Sequence, residues 1–222
     1  AVQCQSGKTK ALDDMSRHLP LNSDNSLKSD IVPLFHGSVV DEVTEYADHI
    51  ANLHLVKNTN SIQVILQQTA GAQLDFDEGR FQVFVTADNS AYDIDNEFIP
   101  MGSPTRYDAL DVKKVITTKA TVTGYEGLKA EMTVPRLRPD CNMRLQIVDT
   151  QSDSTSPLLD ISLVDVLLLV RKHYSETMPA QEFLDRQDEL SHIFFLDEGS
   201  RWIPTHIYVN SWKVVLQDSP LL

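Results

Sequence analysis

Residues 81–86 read Phe81-Gln82-Val83-Phe84-Val85-Thr86, and within this run apolar residues occupy every second position. An apolar residue at every second position is typical of a β-strand with one face buried in a core. The same period appears upstream, at Ile62, Val64 and Leu66. The two runs predict two strands and point to a mainly β fold.

Further segments downstream carry β-forming signals. Residues 115–123 are dense in Thr and Val, whose branched side chains favour strands. Residues 132–134 predict a short strand that Pro135 ends, and residues 144–149 predict another with Leu145 and Ile147 facing inward. Near the C-terminus, residues 206–217 predict a long strand or a hairpin.

One segment has a helical period instead. Within residues 162–173, apolar residues are spaced i, i+3, i+4 and i+7, which predicts a helix with a continuous apolar face. These residues are Leu163, Val166, Leu167 and Val170. Pro179 favours the first turn of a second, short helix. Periodicity leaves residues 42–56 open between helix and strand.

Many short strands with one or two helices indicate β-sandwich architecture. The segment 98–111 holds Pro100, Gly102 and Pro104 without a sustained period, so we expect a domain boundary there. We predict an N-terminal β-sandwich domain at 1–104 and a C-terminal β-sandwich domain, containing the helices, at 105–222. Sandwiches have edge strands, and an exposed edge accepts a strand from another chain.

The composition narrows the class of protein. The 222 residues include 32 acids and 19 bases, a formal net charge of -13, so nucleic acid is not an expected partner. A hydrophobic content of 41% is enough for one large core or two small ones. Cys4 and Cys141 lack metal-ligand spacing, and the sequence leaves open whether they form a disulfide or stay free.

Motifs for catalysis are not found. The chain has no G-x-S-x-G, phosphate-binding loop, H-E-x-x-H or C-x-x-C. We therefore expect no enzyme, and no catalytic, cofactor-binding or metal-binding residue. His49 and His54 are five residues apart, which suits no shared helix face, so we interpret them as surface or strand residues.

Three groups of side chains allow a functional interpretation beside a structural one. The oxygen-rich loop 88–97 supplies ligands of the kind that calcium uses, although turn formation and capping explain it better. The acids at 182–189 form either a carboxylate pair for glycoside hydrolysis or, as we prefer, an ion-paired surface. Trp202, Tyr208 and Trp212 either pack in a core or form a platform for sugars.

A series of short motifs recurs in a defined order along the chain. In the C-terminal half these are DVLLL at 165–169, QEFLDRQDE at 181–189, FFLD at 194–197 and IYVNSWKVV at 207–215. Upstream landmarks are LFHG at 34–37, KNT at 57–59, YDIDN at 92–96 and RL at 136–137. Taken in this order, the motifs resemble the fimbrillin-associated anchor family of Bacteroidetes, the FimB-like minor subunits of type V pili.

The resemblance implies two β-sandwich domains with transthyretin-like topology in a lipoprotein of the cell outer membrane. Family members anchor the fimbrial shaft and influence its length. The implied partners are fimbrial shaft or accessory subunits, bound by β-strand addition, and the outer membrane, bound through a lipid anchor on an N-terminal segment. The family's signal peptide, lipid-bearing cysteine and first strands have no counterpart after Ala1, so we expect an N-terminal domain that is incomplete at its start.

We expect the contact with a partner subunit on the C-terminal strands. The positions are Ile207, Val209, Trp212, Val214 and Leu216. The predicted function is a structural fimbrial subunit, either the anchor or an accessory subunit. A surface carbohydrate-binding module is the alternative, and a secreted glycosidase is a third hypothesis.

Overall fold

The computed structural model describes residues 3–5, 16–19, 21–28, 31–40, 50, 52–68, 79–119, 122–153, 156–174, 177–187, 189–196, 206–209 and 212–215. The upstream strands are β1 (Gln3–Gln5), β2 (Ser16–His18), β3 (Ser26–Leu27), β4 (Phe35–His36), β5 (Val56–Lys57), β6 (Thr59–Gln68), β7 (Phe81–Ala87) and β8 (Ala91–Asp93). The downstream strands are β9 (Thr105–Asp108), β10 (Val112–Lys119), β11 (Val122–Pro135), β12 (Arg144–Asp149), β13 (Leu159–Ser162), β14 (Glu189–Leu196), β15 (His206–Val209) and β16 (Trp212–Val215). The helices are α1 (Leu163–Tyr174) and α2 (Ala180–Asp185). The fold is mainly β, as predicted.

Two large sheets hold most of the strands. One has six strands in the order β10-β11-β6-β14-β15-β16, antiparallel except where β14 lies parallel to β6. The other has five strands in the order β13-β12-β7-β9-β3, parallel only between β9 and β3. Strands β1, β2 and β8 form a three-stranded sheet, and β4 pairs with β5.

One hydrophobic core joins the two large sheets. Each core-facing strand buries every second side chain, so the period of two in the sequence marks the inner face of each sheet. Burial of side chains of this size is the main favourable contribution to folding, about 1.5–3 kcal/mol each. The buried residues are Ile62, Val64 and Leu66 in β6, Phe81, Val83 and Val85 in β7, Leu128, Ala130, Met132 and Val134 in β11, and Leu145 and Ile147 in β12.

Both helices lie where the sequence predicts them. α1 buries its predicted apolar face in the same core, and α2 begins directly after Pro179 and buries Phe183 and Leu184. The two helices contact each other through the rings of Tyr174 and Phe183, whose centroids are 5.4 Å apart. Within the described residues, neither helix combines the length and the apolar character that crossing a bilayer requires.

Two segments contain strands or turns that their sequence does not mark. Residues 115–123, where Thr and Val favour strands, contain the end of β10 and the start of β11, which pair as a hairpin. The segment 98–111, predicted as a boundary, contains β9, which lies between β7 and β3. Gly102 has a φ of +78, so its role is that of a turn residue.

The predicted division into two sandwich domains is not confirmed. Strands on both sides of position 104 pair within both large sheets, as β6 does with β11 and β7 with β12. The transthyretin-like topology is not confirmed either. Most of segment 42–56 lies outside the described residues. In its described part, Leu53 and Leu55 are exposed just before β5.

Candidate partner-binding edge

The C-terminal strands lie at one edge of the six-stranded sheet. β15 and β16 extend this sheet beyond β14, and no strand of the described residues pairs with the far side of β16. Ile207 and Val209 lie in β15, Trp212 and Val214 lie in β16, and Leu216 is outside the described residues. Their role in binding a partner remains a prediction.

The strand register shows which face of the sheet these positions occupy. Position 207 pairs with 194 of β14, which pairs with the buried Leu66, and position 209 is linked in the same way to the buried Val64. Residues directly opposite each other in neighbouring strands share a face. Positions 212 and 214, opposite 209 and 207, therefore also lie on the core-facing side. An added strand would extend that side with apolar residues of its own.

Hairpin geometry indicates which backbone groups of β16 point outward. Val209 pairs with Trp212, so two residues lie between them. In such a hairpin the closing pair exchanges both hydrogen bonds, and the next pair exchanges none. Lys213 and Val215 therefore direct their N–H and C=O groups away from β15. These are the groups that an incoming strand would bind.

The opposite edge of the sheet, β10, has features that discourage pairing. Three of its eight residues are lysines, Lys113, Lys114 and Lys119, and its register shifts between Thr117 and Thr118. Edge lysines and bulges are common means of preventing strand addition. β16 contains one lysine among aromatic and branched residues. The two edges of this sheet therefore differ in their readiness to accept a strand.

The edges of the five-stranded sheet are less suited to binding an added strand. β13 continues directly into α1, and β3 has two residues. A two-residue strand presents too little backbone for a stable added strand. Among the edges of the large sheets in the described part of the chain, β16 is the best candidate.

A polar clamp fixes the position of β14, on which the edge hairpin depends. Arg136 donates from Nε and Nη2 to the two carboxylate oxygens of Asp185, at 2.8 Å each. Asn60 Nδ2 donates to the carbonyl of Gln187 at 2.7 Å. These bonds hold the end of α2 against the start of β6 and the end of β11. The parallel pairing of β14 with β6 begins at this point.

The acids at 182–189 contribute to this clamp and to the helix surface. Asp185 pairs with Arg136, and Glu182 pairs with Arg186 at 2.5 Å. Asp188 is outside the described residues, and of Glu189 only the backbone is described. The preferred interpretation, an ion-paired surface, accounts for the two acids whose side chains are described.

The oxygen-rich loop 88–97 consists largely of turns held by its own side chains. Asp93 Oδ1 accepts the N–H groups of Asp95 at 3.0 Å and of Glu97 at 2.9 Å. Asn96 has a φ of 68, which asparagine tolerates better than most residues. Asn96 Nδ2 donates to Asn58 Oδ1 at 3.1 Å, and the amide of Asn58 donates back. Turn formation and capping therefore explain the second half of the loop.

The short sequence motifs meet in space at the clamp and this turn. KNT supplies Asn58, YDIDN supplies Asn96, RL supplies Arg136 and QEFLDRQDE supplies Asp185. The backbone N–H of Arg136 also donates to the carbonyl of Asn58 at 2.9 Å. The motifs mark these segments in the sequence, but no local pattern predicts that they pair. Their observed contacts hold elements of the fold together.

An open groove of about 360 Å³ lies between the β4–β5 pair and α2. Its lining residues are Phe35, Leu55, Val56, Lys57 and Asp185. Phe35 and Leu55 are more than half exposed. Gly37 approaches this hairpin closely, since a Cβ there would lie 2.5 Å from the His54 carbonyl oxygen.

The cysteine and histidine side chains that the structure describes have no arrangement suited to catalysis. Cys141 is a free, buried thiol, and burial raises its pKa to about 12, so it is a poor nucleophile. His36 donates from Nε2 to the Ile94 carbonyl at 2.8 Å, whereas His54 is exposed. Side chains of the described residues form no group of three or more His, Cys, Asp or Glu suited to a metal.

The remaining predicted residues lie outside the described side chains. His49 and Trp202 lie outside the described residues, and for Cys4, Tyr208 and Trp212 only the backbone is described. By register, position 212 lies on the core-facing side and position 208 on the outer side of the sheet. Positions 208 and 212 therefore lie on opposite faces of the sheet.

A family model described as fimbrillin-A associated anchor proteins Mfa1 and Mfa2 matches residues 5–218. No curated protein matches the chain. Among solved structures, a candidate adhesin from Bacteroides thetaiotaomicron is 25% identical with a TM-score of 0.80, and the match covers 96% of this chain and 71% of that one.

Two further solved structures share the fold. A candidate polysaccharide-binding protein from Bacteroides thetaiotaomicron is 20% identical with a TM-score of 0.80, over 98% of this chain and 72% of its own. The fimbrial anchor protein Mfa2 from Porphyromonas gingivalis is 13% identical with a TM-score of 0.66, over 96% of this chain and 72% of its own.

Proposed function

The chain belongs to the family of fimbrillin-A associated anchor proteins, and we propose from this that it is the anchor or an accessory subunit of a fimbria. It is a fimbrial or adhesin-like protein, and its family places it at the cell surface. Its family and the similar solved structures are named as anchors, adhesins or a polysaccharide-binding protein, and none of those names is that of an enzyme. In the proposed role it attaches the fimbria to the outer membrane and influences fimbrial length.

The proposed partner is a fimbrial shaft or accessory subunit that adds a strand to β16. The difference between the two edges of the six-stranded sheet is the observation that carries this proposal. β10 has three lysines and a register shift, whereas β16 has outward backbone groups and one lysine. An incoming strand would form main-chain hydrogen bonds with β16 and place its apolar residues on the core-facing side.

A proline at position 213 tests the edge directly. Lys213→Pro removes an outward N–H, and because this group does not bond to β15, the hairpin is preserved. Lys213→Ala removes the charge but keeps the N–H, so it is the matched control. We expect purified wild-type chain and Lys213→Ala to bind the purified shaft subunit in surface plasmon resonance, and Lys213→Pro to lose that binding.

The outcomes separate the parts of the proposal. Equal binding by Lys213→Pro and wild type would show that the partner does not use this edge. No binding of any fimbrial subunit by the wild-type chain would contradict the structural role itself.

Attachment to the outer membrane through a lipid is a further part of the proposed function. The family supports it, and residues encoded before Ala1 would test it. A signal peptide followed by a cysteine within a lipid-attachment motif is the expected finding. A gene that starts directly at this segment would contradict lipid anchoring.

A carbohydrate-binding module is the second candidate function. The observation in its favour is the fold shared with a candidate polysaccharide-binding protein. We expect a glycan array to decide it. Glycan binding that Trp202→Ala or Trp212→Ala abolishes would support this function, and absence of binding would remove it.

A further inference from the structure

The edge strand β16 combines apolar residues on its inner face with a lysine on its outer face. By register, positions 212 and 214 lie on the core-facing side, whereas position 213 lies opposite position 208, on the outer side. The residues at these positions are Trp212, Val214 and Lys213. A strand added to β16 would therefore lie beside two apolar residues on one face and beside a lysine on the other.

Lys213 ends a row of residues on the outer face that is otherwise uncharged. The row crosses four neighbouring strands, and its other members are Ile65, Ile193 and Tyr208. Residues directly opposite each other in neighbouring strands interact, and a lysine at a sheet edge discourages strands that cannot neutralise its charge. Discrimination of this kind, by a charge that only some partners can match, is a common source of specificity. Lys213 is therefore placed to select among the strands that could pair with β16.

The five-stranded sheet shows how a strand can match a basic residue on the outer face. β13 is an edge strand of that sheet, and in its sequence Asp160 lies between Leu159 and Ile161. Leu159 and Ile161 are buried. Arg144 of the neighbouring β12 donates from Nε to Asp160 Oδ1 at 2.6 Å. An acid between two apolar residues can thus pair with a base on the outer face while both of its neighbours enter the core.

We propose that the strand bound by β16 carries an acidic residue opposite Lys213, with an apolar residue on each side of that acid. The apolar residues would lie beside positions 212 and 214 on the core-facing side. This inference rests on the proposed function, because it specifies the partner strand at that edge. Opposite charges on directly opposed residues favour pairing of two strands, and like charges there oppose it.

The required acid distinguishes another protein from a second copy of this chain. β16 itself contains no acid among its residues, so two copies that pair through β16 would leave Lys213 without an opposite charge. β13 has an acid between apolar residues, but Asp160 already pairs with Arg144. The occupant that fits this edge is therefore an extended segment of a different fimbrial subunit.

Two short synthetic peptides test this pattern on the full chain by fluorescence anisotropy. Both alternate valine and threonine, and a central threonine is replaced by glutamate in the first peptide and by lysine in the second. We expect the wild-type chain to bind the glutamate peptide about fivefold or more tightly than the lysine peptide. Lys213→Glu should reverse this preference, and NaCl at about 1 M should reduce it in both proteins. Lys213→Gln should bind the two peptides equally, and it decides the matter if Lys213→Glu does not fold.

Lys114→Glu is the matched control for the change in net charge. Lys114 is an exposed residue of β10, at the opposite edge of the same sheet. This variant should keep the wild-type preference for the glutamate peptide. Equal binding of the two peptides by the wild-type chain, or binding of neither, would overturn the proposal. An unchanged preference in Lys213→Glu would overturn it as well.

Failure of this proposal can be told apart from failure of the proposed function. If Lys213→Pro loses the shaft subunit while the wild-type chain binds both peptides equally, the edge binds its partner without this charge pattern. If the wild-type chain prefers the glutamate peptide but binds no fimbrial subunit, the charge pattern is correct and the proposed partner is wrong.

Discussion

Removing the charge of Asp185 should destabilise the protein far more than removing that of Glu182 on the same helix. The Arg136 side chain is 13% exposed and Asp185 is 29% exposed, and two bonds of 2.8 Å join them. Asp185→Asn leaves a mostly buried guanidinium without its counter-charge, while one neutral hydrogen bond can persist. We expect a loss of about 2 kcal/mol in the free energy of unfolding.

The control has the same chemistry at a more exposed position. Glu182 and Arg186 are 45% and 62% exposed and form an i,i+4 pair, so Glu182→Gln should cost at most about 0.5 kcal/mol. Urea unfolding followed by circular dichroism measures both values. Hydrogen exchange should also show faster exchange of β14 amides in Asp185→Asn alone. Equal costs for the two substitutions would refute the clamp as the support of β14.

Three further predictions concern separate parts of the fold. Gly127→Ala should destabilise the protein by about 1–3 kcal/mol in urea unfolding, because its Cβ would lie 2.8 Å from the Leu66 carbonyl oxygen; an unchanged midpoint would contradict this close approach. Cys141 should resist alkylation at pH 8 until urea unfolds the chain, since burial raises its pKa to about 12; rapid labelling of native protein would argue against burial. Hydrogen bonds from Arg80 lower the pKa of Asp149, so its contribution to stability is present above the ordinary Asp pKa and is lost as pH falls. Wild type should therefore be more stable than Asp149→Asn at pH 7, and the difference should shrink below about pH 4; a constant difference would contradict the pairing.

The sequence predicted the elements whose signal is local. In β12 polar and apolar residues alternate from Arg144 to Ile147, and Leu145 and Ile147 are buried as expected. α1 has four apolar residues on one face and no competing period. Pro179 marks the start of α2 because proline suits the first turn of a helix.

Features that depend on distant pairing could not be predicted. β9 has only four residues, and its place between β7 and β3 is set by contacts with strands far along the chain. Pro100 and Gly102 indicate a domain boundary in the sequence, and in the structure they lie in a turn that leads into β9. Residues 115–123 are rich in Thr and Val and contain no Gly, Pro, Asn or Asp. No turn signal in this segment therefore predicts the hairpin between β10 and β11.

The candidate site shows the same limit. Period and motif placed the partner-binding positions on the C-terminal strands, but only the sheet order shows that β16 is an edge. Arg136 and Asp185 are 49 residues apart, so nothing in the local sequence of either predicts their pairing.

The parallel ladder between β6 and β14 should make the molecule resist force that is applied along these strands. Eight residue pairs, from Glu189 with Ser61 to Leu196 with Gln68, join the two strands. Suppose that force pulls apart the chain before β6 and the chain after β14. Because the two strands are parallel, these two points lie at opposite ends of the ladder. The ladder is then sheared, not peeled, and its hydrogen bonds share the tension at the same time.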